Sequence, residues 1–382
     1  MTPNIQVARP IFSNEEINEI KKTFKTGWVA PGPQTKKLEL LIKKKLKTKY
    51  VIAVNSCTSG IAASLTALGA KRGDEVLTPS NTFVSTINTI YNMGLKIRLC
   101  DVDFKKWSVT DTIFKKALTK KTKFFIPVHF GGNPVDIDKI IATAKKNKIK
   151  VIDDAATAIG ARIKNKYLGS YNGTITVFSL HANKIINSAD GGIIALNNKK
   201  LAERLRELIN SGLIKSSWQR MKSNNFKPLN VKIPGFKFNY NDVLASIAIP
   251  QIKKIDKIIS YRKKICTIYK QNLKELINKK KIYIQEVEPS NFSSLYCFQI
   301  YITKKNLRDK LAYFLEKNMI STTVYYTPAH QHDFYKKKLD SKNLINTNKL
   351  FYNSLALPLH NKLTYKDVKR VTNLIINFFN EN

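Results

Sequence analysis

Residues 51–60 read Val51-Ile52-Ala53-Val54-Asn55-Ser56-Cys57-Thr58-Ser59-Gly60, and the junction inside them decides the fold. Four consecutive apolar residues describe a strand buried on both faces, not an alternating one-sided strand. The small hydroxyl residues after it are helix-opening residues, and 59–68 continues with helical spacing. The same phrase recurs downstream. Glu75-Val76-Leu77-Thr78 leads into a helix over 82–93. Lys96-Ile97-Arg98-Leu99, Phe124-Phe125-Ile126-Pro127-Val128 and Val151-Ile152-Asp153-Asp154 follow at wide spacing. Residues 174–179 and 191–196 read as two further strands. Strands separated by helical stretches need crossovers, so the expectation is an α/β fold with a mainly parallel sheet covered on both faces.

The pattern changes near Gly235. Residues 241–258 and 261–276 read as helical, strand-like 294–301 and 322–325 bracket a helix around 307–316, and 364–379 is an amphipathic helix. This predicts a large domain over 1–240 and a smaller α+β domain over 241–382, without repeats or a disordered linker.

Composition narrows the function classes. Of 382 residues 43% are apolar, with 15 glycines and 13 prolines, as in a folded globular protein. No apolar run reaches membrane-spanning length and the N-terminus lacks a signal-peptide core. A cytoplasmic protein without membrane insertion is therefore expected. Cys57, Cys100, Cys266 and Cys297 are scattered, with no metal-ligand spacing, so reduced thiols and no metal are expected. The net charge of +39 raises nucleic-acid binding. Yet the lysines fall in dispersed pairs and triplets, such as Lys21-Lys22 and Lys336-Lys337-Lys338, with no basic tail. A solvated surface that attracts small anions, with no nucleic-acid partner, is the expected reading.

In open α/β sheets ligands bind beyond the carboxyl ends of the strands. Four groups stand there. Asn55 to Gly60 puts hydroxyls and free N–H groups at a helix start, which suits either a phosphate or an ordinary cap. Asp154 ends a buried strand and needs a partner: a cationic ring nitrogen, a salt bridge or a cap. Lys184, in Phe178-Ser179-Leu180-His181-Ala182-Asn183-Lys184 before Asp190-Gly191-Gly192, is placed for Schiff-base chemistry, which needs an easily deprotonated amine. Phe83 follows a strand end and suits either ring stacking or the core.

Taken in order, these segments resemble the DegT/StrS family of pyridoxal-phosphate-dependent nucleotide-sugar aminotransferases. The likeness also runs through Arg9-Pro10, Gly27-Trp28-Val29-Ala30-Pro31-Gly32-Pro33, Pro127-Val128-His129-Phe130-Gly131-Gly132, Asp153-Asp154-Ala155-Ala156 and Leu355-Ala356-Leu357-Pro358-Leu359-His360. The resemblance implies aminotransferase fold type I, pyridoxal 5'-phosphate (PLP) as cofactor and a homodimer with a shared site. It implies Lys184 as the Schiff-base lysine and proton carrier, Asp154 on the pyridine nitrogen, and Phe83 stacked on the ring. Thr58, Ser59 and Ser179 would hold the phosphate, completed across the dimer from Lys237 to Asn239. Thr157 stands where the family has Gln or His, and Lys237 where many members have Asn. The early motifs look most like the UDP-4-amino-4-deoxy-L-arabinose aminotransferase branch. That points to a nucleotide-linked 4-keto sugar and to glutamate or glutamine as donor. Trp28, His181, Tyr325, Tyr326, His330 and His332 become candidates for the sugar-nucleotide pocket. A 3-keto-sugar or cyclitol aminotransferase, and a PLP- or DNA-binding regulator that transfers no amine, are the alternatives.

Overall fold

The computed structural model describes residues 4–222 and 228–382. Its first nine strands are β1 (Tyr50–Val54), β2 (Glu75–Pro79), β3 (Lys96–Cys100), β4 (Thr122–Phe125), β5 (Lys150–Asp154), the short β6 (Arg162–Ile163) and β7 (Lys166–Tyr167), β8 (Thr174–Ser179) and β9 (Gly192–Leu196). Seven of them form one sheet in the order β1-β9-β8-β5-β4-β2-β3. β2, β3, β4, β5 and β8 pair in parallel, as the repeated strand-then-helix phrase requires. The exception is β9, antiparallel to both β8 and β1. No helix lies between β8 and β9, and without a crossover the chain can only return antiparallel. Every residue of β8 and β9 is buried, the signature of a sheet covered on both faces.

The helix after β1 shows how that cover is fitted. It spans Cys57–Ala67 and buries Gly60, Ile61, Ala63, Ser64, Leu65 and Ala67. A Cβ at Gly60 would stand 2.6 Å from Val177 Cγ1. The missing side chain lets the helix lie directly on β8.

Beyond residue 280 come β10 (Ile282–Ile284), β11 (Asn291–Phe292), β12 (Phe298–Ile302) and β13 (Ser354–Leu357). β10, β12 and β13 make a small antiparallel sheet, while β11 joins β6 and β7. The small sheet packs on helices Leu307–Lys317 and Tyr365–Glu381 around Ile300, Ile302, Leu311, Leu315, Val368 and Ile375. Ile5 belongs to this core too, bonded through its backbone to Met319 and Ser321.

Three local expectations are corrected. The helical stretch from 241 is broken at Lys254 into Asp242–Lys253 and Ile255–Asn272. The strand read over 294–301 begins only at Phe298, because the N–H groups of Ser294 and Tyr296 go to the carbonyls of Gly132 and Gly131. Residues 322–325 form no strand: Thr323 alone pairs with Ala356, after which the chain turns away. No helix among the described residues is long and apolar enough to cross a membrane.

Candidate active site

The carboxyl ends of β1, β2, β5 and β8 bring Cys57, Phe83, Asp154 and the 179–184 segment to one edge of the sheet. Asp154 is the buried centre, at 5% exposure. Its Oδ2 accepts from the Thr86 hydroxyl at 2.7 Å and its Oδ1 from the Ala156 N–H at 3.1 Å. No cation pairs with it within salt-bridge distance among the described residues. Burial raises its pKa above the ordinary carboxylate value, against the Thr86 and Ala156 bonds and the charge of Lys184. Three elements hold it in place. β5 supplies the backbone, Pro127 and His129 exchange main-chain bonds with it, and Thr86 comes from helix Val84–Asn92.

Lys184 is half-buried in the turn between β8 and β9. Its ammonium lies 4.7 Å from the centre of the Tyr296 ring. Burial holds the amine below its ordinary pKa, opposed by the nearby Cys57, Asp154 and Cys297. An amine that loses its proton readily, beside a buried carboxylate, is what carbonyl chemistry by lysine needs.

At the helix start after β1, Ser56 is the cap. Its Oγ accepts the Ser59 N–H at 3.0 Å and meets the Ser59 hydroxyl at 2.8 Å. The N–H groups of Cys57 and Thr58 have no partner among the described residues. They remain free donors at a helix N-terminus, where an anion is favoured. Gly192 opens β9 against this turn, and a Cβ there would stand 2.5 Å from the Ser56 carbonyl. Ser179, at the end of β8, is buried and accepts the His181 N–H at 3.2 Å.

Phe83 is 55% exposed, so it is not a core residue. Its ring meets Tyr326 edge-on at 5.5 Å, and Tyr326 in turn faces Phe130 at 6.0 Å and Tyr325 at 5.1 Å. Tyr325 packs on Tyr296 at 5.5 Å. The described residues thus bring Phe83, Tyr325 and Tyr326 onto the side where Lys184 and Asp154 stand.

Other expected residues lie elsewhere or are already engaged. His330 is buried and bridges Ser80 at 2.7 Å and Asn348 at 2.9 Å. His332 opens the short helix Asp333–Lys336. Trp28 packs on Trp218 at 5.0 Å, over Gly32. His181 is exposed, and among the described residues its ring accepts only the N–H of Asn183. Thr157 gives its hydroxyl to the His129 carbonyl at 2.9 Å. Exposed Lys237 and half-buried Asn239 sit in an extended segment beside the end of β1, where Asn239 donates to Asn210 and leaves its Oδ1 unpartnered. Sequence reasoning missed Thr86 and Tyr296. Thr86 stands three residues after Phe83, a signal that could have found it. Tyr296 comes from the small sheet's approach and carried no signal.

These residues fit a PLP molecule. A buried carboxylate without a cation would meet a protonated ring nitrogen, free N–H groups at a helix start suit a phosphate, and an exposed phenyl offers a stacking face. No group of His, Cys, Asp or Glu among the described residues could hold a metal ion.

The sequence model of the DegT/DnrJ/EryC1/StrS aminotransferase family matches residues 10–376. An uncharacterized protein of Methanocaldococcus jannaschii is 34% identical over 98% of this chain and 97% of its own. Among solved structures, the aminotransferase TlmJ of Streptoalloteichus hindustanus superposes with a TM-score of 0.90 at 28% identity, covering 99% of each chain. A Streptococcus pneumoniae protein assigned as a sugar aminotransferase, in its pyridoxamine-phosphate form, gives 0.91 at 24% identity. It covers 99% of this chain and 100% of that one, and at that identity the likeness carries the fold alone.

Proposed function

We propose, for a chain that belongs to the DegT/DnrJ/EryC1/StrS aminotransferase family and takes PLP as its cofactor, the transfer of an amino group from glutamate or glutamine to a nucleotide-linked 4-keto sugar. The observation that carries the reading is the pairing of a buried carboxylate that lacks a cation, Asp154, with the half-buried amine of Lys184. PLP supplies an aldehyde for an amine to bond and a ring that accepts electrons.

Lys184 Nζ would hold the cofactor at rest and then carry a proton between the substrate carbon and the cofactor. Asp154 would keep a proton on the ring nitrogen, oriented by Thr86. Thr58, Ser59 and Ser179 would hold the phosphate, and Phe83 would bound one face of the ring. The donor gives up its amine and leaves as a 2-oxo acid, while the sugar's C=O becomes C–NH2.

A sugar substrate is supported by the open aromatic wall of Phe83, Tyr325 and Tyr326, since sugar rings present apolar faces that stack on aromatic rings. The positive surface favours an anionic nucleotide. The same reading places the enzyme in the cytoplasm. It keeps the division at 1–240 and 241–382, in which the small sheet has an apolar core of its own while Ala245, Ala248, Ile249 and Ile252, beyond the boundary, pack into the core of the large sheet. It also keeps the UDP-4-amino-4-deoxy-L-arabinose branch and a homodimer in which Lys237 to Asn239 reaches the neighbour's phosphate.

The decisive experiment incubates PLP-loaded protein with glutamate and a panel of nucleotide keto sugars and identifies products by mass. A 4-amino sugar is expected. A 3-amino product would move the substrate assignment, and no aminated product with any sugar would end the reading. In Lys184→Ala the visible absorption of lysine-linked cofactor should vanish, and an unchanged spectrum would remove Lys184 from its role.

A further inference from the structure

On the small-domain side of Lys184 lies a cavity of about 120 Å³ that none of the assigned cofactor groups except Lys184 lines. Its wall includes Arg9, Glu16, Lys184, Asn187, Lys254 and Arg262. Three observations mark it as built for an anion. Arg262 is 6% exposed, and its guanidinium meets no carboxylate among the described residues. Its Nε donates to Asn361 Oδ1 at 3.0 Å, and its Nη1 donates to the carbonyls of Leu295, Tyr296 and Leu359. Nη2 donates to no described residue. A buried cation with no counter-charge is costly, and burial accordingly lowers its pKa.

Asn187 is 4% exposed and its side chain bonds no described residue, so its Nδ2–H2 can donate to an anion. Arg9, exposed at the rim, has neither an ion pair nor a hydrogen bond among the described residues. Of the remaining charges, Lys254 pairs with Glu15 at 2.9 Å, and the Glu16 carboxylate is met by the neutral donors Ser13 and Gln251 rather than by a cation.

We infer that this cavity seats a carboxylate of the amino donor, gripped by Arg262 and Arg9 and oriented by Asn187, an inference that rests on the aminotransferase reading. The volume decides the size of the group. A void of roughly 150 Å³ holds one benzene ring, so the part of a ligand seated in this one is a carboxylate with a short stem. Chemistry decides its charge: a guanidinium fork matches a carboxylate in two parallel bonds. A free phosphate shares that chemistry, and the test separates the two.

PLP-loaded and cofactor-free protein are titrated by calorimetry with glutarate, an unreactive dicarboxylate, and with inorganic phosphate. Glutarate should bind saturably to both forms and more tightly than phosphate. Arg9→Gln, Asn187→Ala and Arg262→Lys should each weaken it by about tenfold or more, the value of a charge-assisted bond. Each should also raise the KM for glutamate more than it lowers kcat. If Arg262→Lys does not fold, the other two variants decide. Tighter phosphate binding lost in the same variants, or glutarate binding unchanged in them, overturns the assignment. Glutamate turnover with unaltered KM in all variants would overturn this site and leave the aminotransferase reading standing. Variant-sensitive glutarate binding without turnover of glutamate would do the reverse.

Discussion

Asp154 and Lys184 show how two ordinary side chains acquire a joint role. Burial disfavours both charged forms, raising the carboxyl and lowering the amine, while each partly restores the other's charge. An acid and a base held apart from their usual values, with a water-excluding aromatic beside the amine, are poised for proton movement. Asp154→Asn keeps the shape and the amide neighbours but removes the charge that a cationic ring would need. Its kcat is expected to fall about a hundredfold or more, since losing one partner of a buried charge pair costs roughly 2–5 kcal/mol. The variant should also release PLP more readily on dialysis. Steady-state rates within a few-fold of the parent would remove the charge from the account.

Strand β5 and the β8–β9 turn carry the consequences at the level of elements. Gly192 has no positive φ; its requirement is steric, with the Ser56–Cys57 peptide pressed against it. Gly192→Ala should push the helix start away from β9, costing about 1–3 kcal/mol by overpacking and weakening PLP retention. Urea unfolding and cofactor titration read the two effects, and loss of neither would show that the turn yields.

On the opposite side of β5 from Asp154, Asp153 and His129 are wholly buried with Oδ1 and Nε2 3.9 Å apart, neither atom hydrogen-bonded. Burial pushes Asp153 up from 3.8 to about 7 and His129 down from 6.5 to about 3. Asp153 alone would weaken the fold as pH rises from 3.8 towards about 7, because only the unfolded carboxyl then ionises. His129 alone would weaken it as pH falls below 6.5, because only the unfolded ring then gains a proton. Across the shared window both states bind one proton and the slopes cancel. Asp153→Asn should therefore make stability rise with pH between about 4 and 6.5, by roughly 1.4 kcal/mol per unit. His129→Gln should make it fall by a similar amount. Denaturant midpoints at several pH values decide this, and slopes of the same sign in both variants would contradict it.

At the scale of the whole molecule, the large and small sheets share the work of the site. Lys184 and Asp154 come from the first, while Tyr296, Tyr325, Tyr326 and Arg262 arrive from beyond residue 241. The proposed dimer extends this sharing to a second chain. Mixing Lys184→Ala with Asn239→Ala protomers should then restore amine transfer that neither preparation shows alone, because each mixed dimer holds one complete site. No gain on mixing, together with a monomeric mass in sedimentation, would confine the site to one chain. The charge of +39 is spread over lysines along the whole chain, so a field that draws in an anionic substrate should weaken as salt rises, visible as a growing KM.

Much of this was legible in the sequence because it depends on short-range pattern. Apolar stretches at 51–54, 151–152 and 175–178, the last interrupted by Thr176, each followed by polar residues, determined the parallel sheet and placed Cys57, Asp154 and Lys184 at its carboxyl edge. The capping pair Ser13 and Glu16, which starts helix Asn14–Lys25, was equally legible in principle and went unread. What the sequence could not determine is every contact that joins distant stretches. That Ser294 and Tyr296 abandon a strand to bond Gly132 and Gly131 follows from docking of the small sheet, not from β-propensity. His330 reads as a pocket histidine until Ser80 and Asn348 are found around it. Arg262 reads as one cation on a lysine-rich helix until three carbonyls bury it beside Lys184. Local periodicity fixes which face of an element is apolar. Only tertiary packing fixes which polar group is left without a partner, and in this protein Arg262 and Asn187 are two such groups to which a ligand is assigned.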